Sequence, residues 1–175
     1  MSGFIQWLEG LNEKDTKVRA VLRRSLAFEP GRYVSVYPYV EPFVKSEDNS
    51  WRREMHYLVA GLWAAHAQEE SSNAKMAIGS ACQALYLKRD KSPSIERRFI
   101  TLLDSDRSQL PRRMRQMLAL LKEYPIHFEA LLADLLFWNN DRKRTQNAWA
   151  RDFYNNLQDE TETQSESATE EEQPA

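Results

Sequence analysis

The sequence predicts an all-α protein: a two-lobed helical bundle with a disordered acidic C-terminal tail. Three observations predict it. Apolar residues recur at helical spacing along most of the chain. The one stretch that briefly alternates, residues 33–44, carries two prolines and has no partner strand. Beyond residue 158 the composition turns to Glu, Thr, Ser and Gln with no aromatic or aliphatic anchor, which cannot offset the entropy of ordering.

The elements follow in order. Phe4, Ile5, Leu8 and Leu11 form a first apolar stripe with Trp7 on its flank; Val18, Val21, Leu22 and Leu26 form a second, opened by Asp15 as N-cap. Glu29-Pro30-Gly31-Arg32 is a turn, and 33–44 reads as short helical turns or extended packing. Ser50 caps a helix that runs to about residue 68 and buries Met55, Leu58, Val59, Leu62 and Trp63. Residues 69–73 are polar and read as a loop. Residues 76–87 are helical, and Gly79 inside them points to a close helix approach or to a tolerated glycine. Ser92-Pro93 is an N-cap followed by proline at the first helical position, and the helix it opens uses Ile95, Phe99, Leu102 and Leu103. Pro111 opens another, with Leu110, Met114, Met117, Leu118 and Leu121 inside and Arg112, Arg115 and Lys122 outside. Pro125 begins a leucine-rich helix ending at Trp138, and Asp141 caps a last helix to about Leu157. No repeat of solenoid period occurs. The expected organisation is an N-terminal lobe 1–70, a C-terminal lobe 71–158 and a tail 159–175.

The formal charge of −2 hides an asymmetry. Seven of the 26 acidic residues lie in 159–175 with no basic ones, so the body carries 24 basic against 19 acidic groups. A cationic body with an acidic tail speaks of partners rather than of fold. The only cysteine, Cys82, excludes an intrachain disulfide and suits a reducing cytoplasm. MSGFIQWLEGLNEKD shows no signal peptide, and no apolar run approaches the roughly 20 residues of a membrane helix.

Catalytic chemistry finds little footing. His56, His66 and His127 sit in no HExxH or ExxH pattern and read as surface or lightly packed residues. His56 and His66, ten apart on one helix, do not share a face. Cys82 lies among Ala81, Ala84 and Leu85, as a small buried hydrophobe does. No glycine-rich phosphate loop occurs among five glycines, and the carboxylates are scattered among arginines. No metal or cofactor is expected.

Arginine is the prominent residue. Arg23-Arg24, Arg52-Arg53, Arg97-Arg98, Arg112-Arg113-Arg115 and Arg142-Lys143-Arg144 are clusters. Each alone reads as a solvated helix face with ordinary ion pairs. Together they suit phosphate, which the planar guanidinium fork matches better than an ammonium does; docking of protein partners also uses arginine. Trp51, Trp138, Trp149 and Tyr154 offer rings for stacking on unpaired bases, although aromatics at helical spacing such as Trp138, Trp149 and Phe153 more often form core.

At these residues the chain resembles the small subunit of the type I-E CRISPR surveillance complex Cascade, the CasB family. The resemblance rests on Ser94-Ile95-Glu96-Arg97-Arg98-Phe99, on Leu102-Leu103-Asp104-Ser105-Asp106-Arg107 with Leu110-Pro111, on Leu131-Leu132-Ala133-Asp134-Leu135-Leu136-Phe137-Trp138 and on Trp149-Ala150-Arg151-Asp152-Phe153-Tyr154. Weaker echoes are Leu22-Arg23-Arg24 before Pro30-Gly31, Tyr37-Pro38, residues 53–64 and Ile78-Gly79, so the likeness spans about 4–154. It implies two helical lobes and no catalytic activity. It implies two copies lying head to tail inside the complex, along the subunits that carry CRISPR RNA, with basic surfaces that hold the displaced DNA strand and stabilise the RNA–DNA hybrid. PAM reading and cleavage would belong to other proteins. The chain departs from the pattern in its long acidic tail, in Ser80, Ala81 and Gln83, where members are often basic, and in 69–75.

The expected partners are therefore other Cascade subunits, a second copy of this chain, target DNA and CRISPR RNA, with no membrane. The candidate nucleic-acid contacts are Arg23, Arg24, Arg52, Arg53, Arg97, Arg98, Arg107, Arg142, Lys143 and Arg144. Arg107 has an internal ion pair with Asp106 as its alternative. A structural adaptor whose basic patches dock protein subunits is the rival function.

Overall fold

A computed structural model of the protein describes residues 3–45, 49–66, 74–155 and 157. Among them are nine α-helices and no strand, as the periodicity predicts: α1 (Phe4–Lys14), α2 (Lys17–Arg24), α3 (Tyr37–Val40), α4 (Ser50–Ala65), α5 (Ile78–Lys88), α6 (Pro93–Leu103), α7 (Leu110–Leu120), α8 (Phe128–Leu136) and α9 (Arg144–Tyr154). The expected loop 69–73 and the expected disordered tail 159–175 lie outside the described residues.

α4 is the axis. It is buried nearly all round, from Met55 through Ala64, because α2 covers one side and α8 the other. Asn49 caps its start by accepting the Arg52 N–H at 2.9 Å, so the cap falls one residue before the expected Ser50. At its end, Arg19 of α2 donates to the carbonyls of Trp63, Ala64 and His66 at 3.2, 3.2 and 2.9 Å and lies 4.7 Å over the Trp63 ring. One guanidinium thus satisfies carbonyls that the helix cannot. The first turn of α1 is capped from outside as well: Glu129 of α8 accepts from the Phe4 and Ile5 N–H groups at 3.0 and 2.9 Å, a negative charge at a helix N-terminus.

The second half is built on α5 against α9 and α6 against α7. Gly79 is a true close approach: a Cβ there would sit 2.8 Å from Asp152 Cβ and collide with the Trp149 carbonyl. The segments around Phe99 and Trp149-to-Tyr154 meet each other. Phe99 and Phe153 stack with centroids 4.4 Å apart, and the Tyr154 hydroxyl donates to Glu96 at 2.9 Å. Trp138 and Trp149 are core, their indole N–H groups donating to the Ser105 carbonyl and to Asp134. Trp51 is core too, donating to the Leu135 carbonyl at 2.9 Å.

Several expected starts move. Residues 76–77 precede α5 instead of belonging to it: the Met76 amide donates to the Pro125 carbonyl at 2.8 Å and the Met76 carbonyl accepts from His127 at 2.9 Å, a lone parallel bridge. The same bridge holds Pro125 and Ile126 extended, so α8 starts at Phe128, with the His127 ring as its cap on the Ala130 N–H. α9 starts at Arg144 because Lys143 adopts φ +49°, and it is Asn140, not Asp141, whose side chain closes the turn on the Arg142 N–H. α4 stops at Ala65 under the Arg19 cap. His56 and His66 are buried, against the expectation of surface histidines. Each satisfies a ring nitrogen on a backbone carbonyl, of Arg52 and Tyr124 respectively, at 2.7 Å, and packs edge-to-face with a phenylalanine, Phe4 and Phe128.

Candidate nucleic-acid interface

The stripe that buries Ile95, Phe99 and Leu102 leaves the other face of α6 outside. Ser94, Arg97, Arg98 and Thr101 line that face at i, i+3, i+4 and i+7. α7 answers with Arg113, Gln116, Met117 and Leu120 at the same spacing, and the two rows bound an open cleft of about 320 Å³. Its walls are guanidinium, hydroxyl and amide, and its floor is Met117 and Leu120.

The cleft does not end there. Arg113 and Gln116 also line a second cleft of about 420 Å³ with Ser108, Gln109 and Arg112. Arg112 and Ser108 then line a third, with Arg115, Pro111 and the aromatic residues Phe28, Tyr33 and Tyr57. Three clefts that share side chains wind around α7 as one track, carrying Arg97, Arg98, Arg113, Arg112 and Arg115.

Arg113 is the fixed member. Its Nη1 donates to the Thr101 carbonyl at 2.9 Å and to Ser105 Oγ at 3.2 Å, capping the end of α6. Arg97, Arg98 and Arg112 are exposed and Arg115 is half-buried, and none of the four makes a hydrogen bond or ion pair among the described residues. Two carboxylates border the track. Asp106 is held below the usual carboxylate range by the Ser108 hydroxyl and the Gln109 amide, and Glu29 lines the aromatic end.

The other sequence candidates lie elsewhere. Arg23 and Arg24 are exposed at the end of α2. Arg52 is exposed on the first turn of α4, whereas Arg53 beside it is tied to Glu41 at 2.5 Å and to the Lys45 carbonyl at 3.2 Å. Arg107 bonds Ser50 Oγ at 2.8 Å, reaches Glu54 at 3.4 Å and lies 5.3 Å over the Trp51 ring, so the acid it pairs with is Glu54, not Asp106. Arg142, Lys143 and Arg144 are exposed where the chain turns into α9. Of the ten candidates the structure brings Arg97 and Arg98 into the track. Arg112, Arg113 and Arg115 were not among the ten; their signal was the arginine cluster just after Pro111, at the start of α7.

The described residues also include Cys82. Burial pushes the Cys82 thiol up to about 12. The same residues hold no group of three His, Cys, Asp or Glu side chains placed to bind a metal ion. No helix among them is long and apolar enough to cross a membrane.

Known proteins share this architecture. The family model for CRISPR-associated protein Cse2 matches residues 18–154. A CRISPR-associated protein Cse2 from Thermus thermophilus is 43% identical over 156 residues, 86% of this chain and 88% of the relative. The crystal structure of CasB from M. ruber superposes with a TM-score of 0.77 at 36% identity, over 91% of this chain and 95% of that one. A chain of a CRISPR RNA-guided surveillance complex has the same fold, with a TM-score of 0.72 at 19% identity over 91% and 98% of the two chains.

Proposed function

This chain belongs to the CRISPR-associated Cse2 family, and from that premise we propose that it works as the non-catalytic small subunit of a type I-E surveillance complex, laying the α6–α7 arginine track along nucleic-acid backbone. Its partners are other subunits of the complex, a second copy of the chain, CRISPR RNA and target DNA, in the cytoplasm. The division of the body into lobes 1–70 and 71–158 belongs to the same proposal, with the α4–α8 packing as the seam.

What supports the function is the continuity of the track: five guanidiniums in three clefts that share side chains. Opening a target duplex against a guide is a near-balanced exchange, so a few backbone contacts decide whether the opened state persists. Arginines on two packed helices supply such contacts without reading sequence. Arg113 stiffens the wall, and the forks of Arg97, Arg98, Arg112 and Arg115 do the holding. Arg23, Arg24 and Arg52 extend the positive surface. Arg53 and Arg107 act mainly on α4, through Glu41 and Glu54.

The adaptor reading is favoured at one place, the α8–α9 corner. There Phe137 is 64% exposed, and two successive turns, closed by the Asn140 amide on the Phe137 carbonyl and the Lys143 amide on the Asn140 carbonyl, lead to the exposed Arg142, Lys143 and Arg144. An exposed ring followed in the chain by arginines is the composition of a protein-docking patch.

Photo-crosslinking of an opened target to the assembled particle, mapped to residues, tests the proposal. Crosslinks are expected on residues 94–101 and 108–116. Crosslinks confined to other subunits, with none on this chain, would reject it.

A further inference from the structure

The aromatic end of the track has a feature that phosphate contact does not use. Phe28, 48% exposed, stacks on Tyr33 with ring centroids 4.8 Å apart and planes 2° from parallel. Tyr33 packs against the core, so Phe28 is the outer ring of a two-ring stack. The loop that carries the pair is held in shape. Gly31 takes φ +81°, which other residues rarely adopt, the Arg32 amide closes on the Glu29 carbonyl at 3.0 Å, and the Tyr37 hydroxyl donates to the Gly31 carbonyl at 2.6 Å. An exposed ring on a fixed loop is a pre-ordered platform.

We infer that this platform is a stacking site for one unpaired nucleobase, with Phe28 beneath the base and Arg112 and Arg115 beside the phosphates that flank it. The inference rests on the proposed backbone contact along the track and adds a subsite to it. Phe28, Arg112 and Arg115 line the same cleft, which places a π-face and two cations within one nucleotide's reach. The cleft itself, at about 40 Å³, has room for little more than a water, so the base lies across Phe28 instead of entering it. Stacking of this kind accepts any base. Glu29, on the rim, repels a phosphate there and leaves the phosphate positions to the arginine side. An apolar segment of a partner protein would use the exposed Val34 and Tyr37 with Phe28 but would have no use for the two guanidiniums.

The test uses the assembled complex opened on targets whose displaced strand carries a single abasic site, moved one position at a time. At one position the loss of the base should weaken binding roughly five- to one-hundred-fold. Phe28→Leu, which keeps apolar bulk and loses the π-face, should abolish that penalty while preserving the salt dependence of binding; Phe28→Trp should restore it. A flat abasic scan in the unsubstituted complex, or a penalty unchanged by Phe28→Leu, overturns the stacking site. So does a Phe28→Leu chain that drops out of the complex before any DNA is added, since that assigns Phe28 to a protein contact. A failure of the track itself looks different: the salt dependence then ignores the arginines whatever the abasic scan shows.

Discussion

His66 shows how one residue ties the bundle to pH. Burial holds its pKa below the usual 6.5; the Tyr124 carbonyl, which accepts its Nε2–H, acts against this, and the nearby Arg19 charge acts with it. The folded ring therefore resists a proton that the unfolded chain accepts. Its contribution to stability is present above about pH 6.5 and is lost as pH falls toward the lower folded value. Asp134 has the opposite sign. Burial raises its pKa above the usual 3.8 against the opposing pull of the Trp149 N–H, so protonating it favours the fold, and that contribution is lost as pH rises through the raised value. The range from about pH 7.5 to 5.5 brackets the ordinary histidine value. Urea midpoints should fall over that window, and His66→Gln, which can still donate to Tyr124, should flatten the dependence. An equal slope in the two proteins would assign the acid sensitivity elsewhere. The burial of His66 was not legible in the sequence, because its ring is satisfied by a carbonyl that only the folded chain brings near: Tyr124 lies 58 residues away.

At the scale of elements, two helix pairs carry the molecule's second half for different reasons. The α5–α9 pair exists because Gly79 lets α5 sit against the Trp149 carbonyl. Gly79→Ala should cost about 1–3 kcal/mol, read from urea denaturation, since the methyl meets backbone that cannot give way. Helix propensity alone would have made the same change stabilising by about 1 kcal/mol, so the sign separates close approach from a tolerated glycine. The sequence offered close approach or a tolerated glycine at Gly79, because a glycine inside a helical pattern weakens its own helix unless a neighbour needs the space; the fold, with Gly79 in the first turn of α5, selects close approach. The α6–α7 pair was legible as two amphipathic helices but not as a site. Their apolar faces follow from Ile95, Phe99, Met114 and Met117, and Ser92-Pro93 marks where α6 begins. That the two polar faces would look at each other depends on the crossing of the helices, which residue spacing does not encode. Arg113 is the same lesson at one residue: in the chain it is one of three clustered arginines, and in the fold it caps α6 through Thr101. Asp141, Pro125 and Ser50 misplaced helix starts by a few residues because a neighbouring side chain or the Met76 bridge supplied the cap.

At the scale of the whole molecule, charge and core divide the labour. The segments that carry the resemblance to known small subunits supply aromatic core residues: Phe99 stacks on Phe153, and Trp149 donates to Asp134. They account for the fold being readable from sequence. The positive surface is less constrained by packing, so the ten sequence candidates scatter over several faces, and three of the five track arginines were absent from them. With 24 basic residues against 19 acidic ones outside the tail, the body attracts polyanions without regard to sequence.

The salt dependence of target binding by the assembled complex tests that account most directly. Each backbone phosphate held by a cation contributes about 0.7 to 0.9 to the slope of log affinity against log salt. Replacing Arg97, Arg98 and Arg112 with alanine, which leaves the Arg113 cap of α6 in place, should make the slope shallower by roughly two to three and weaken all targets alike. A complex that keeps this chain in place and binds with an unchanged slope would contradict the claim that the α6–α7 track holds nucleic acid.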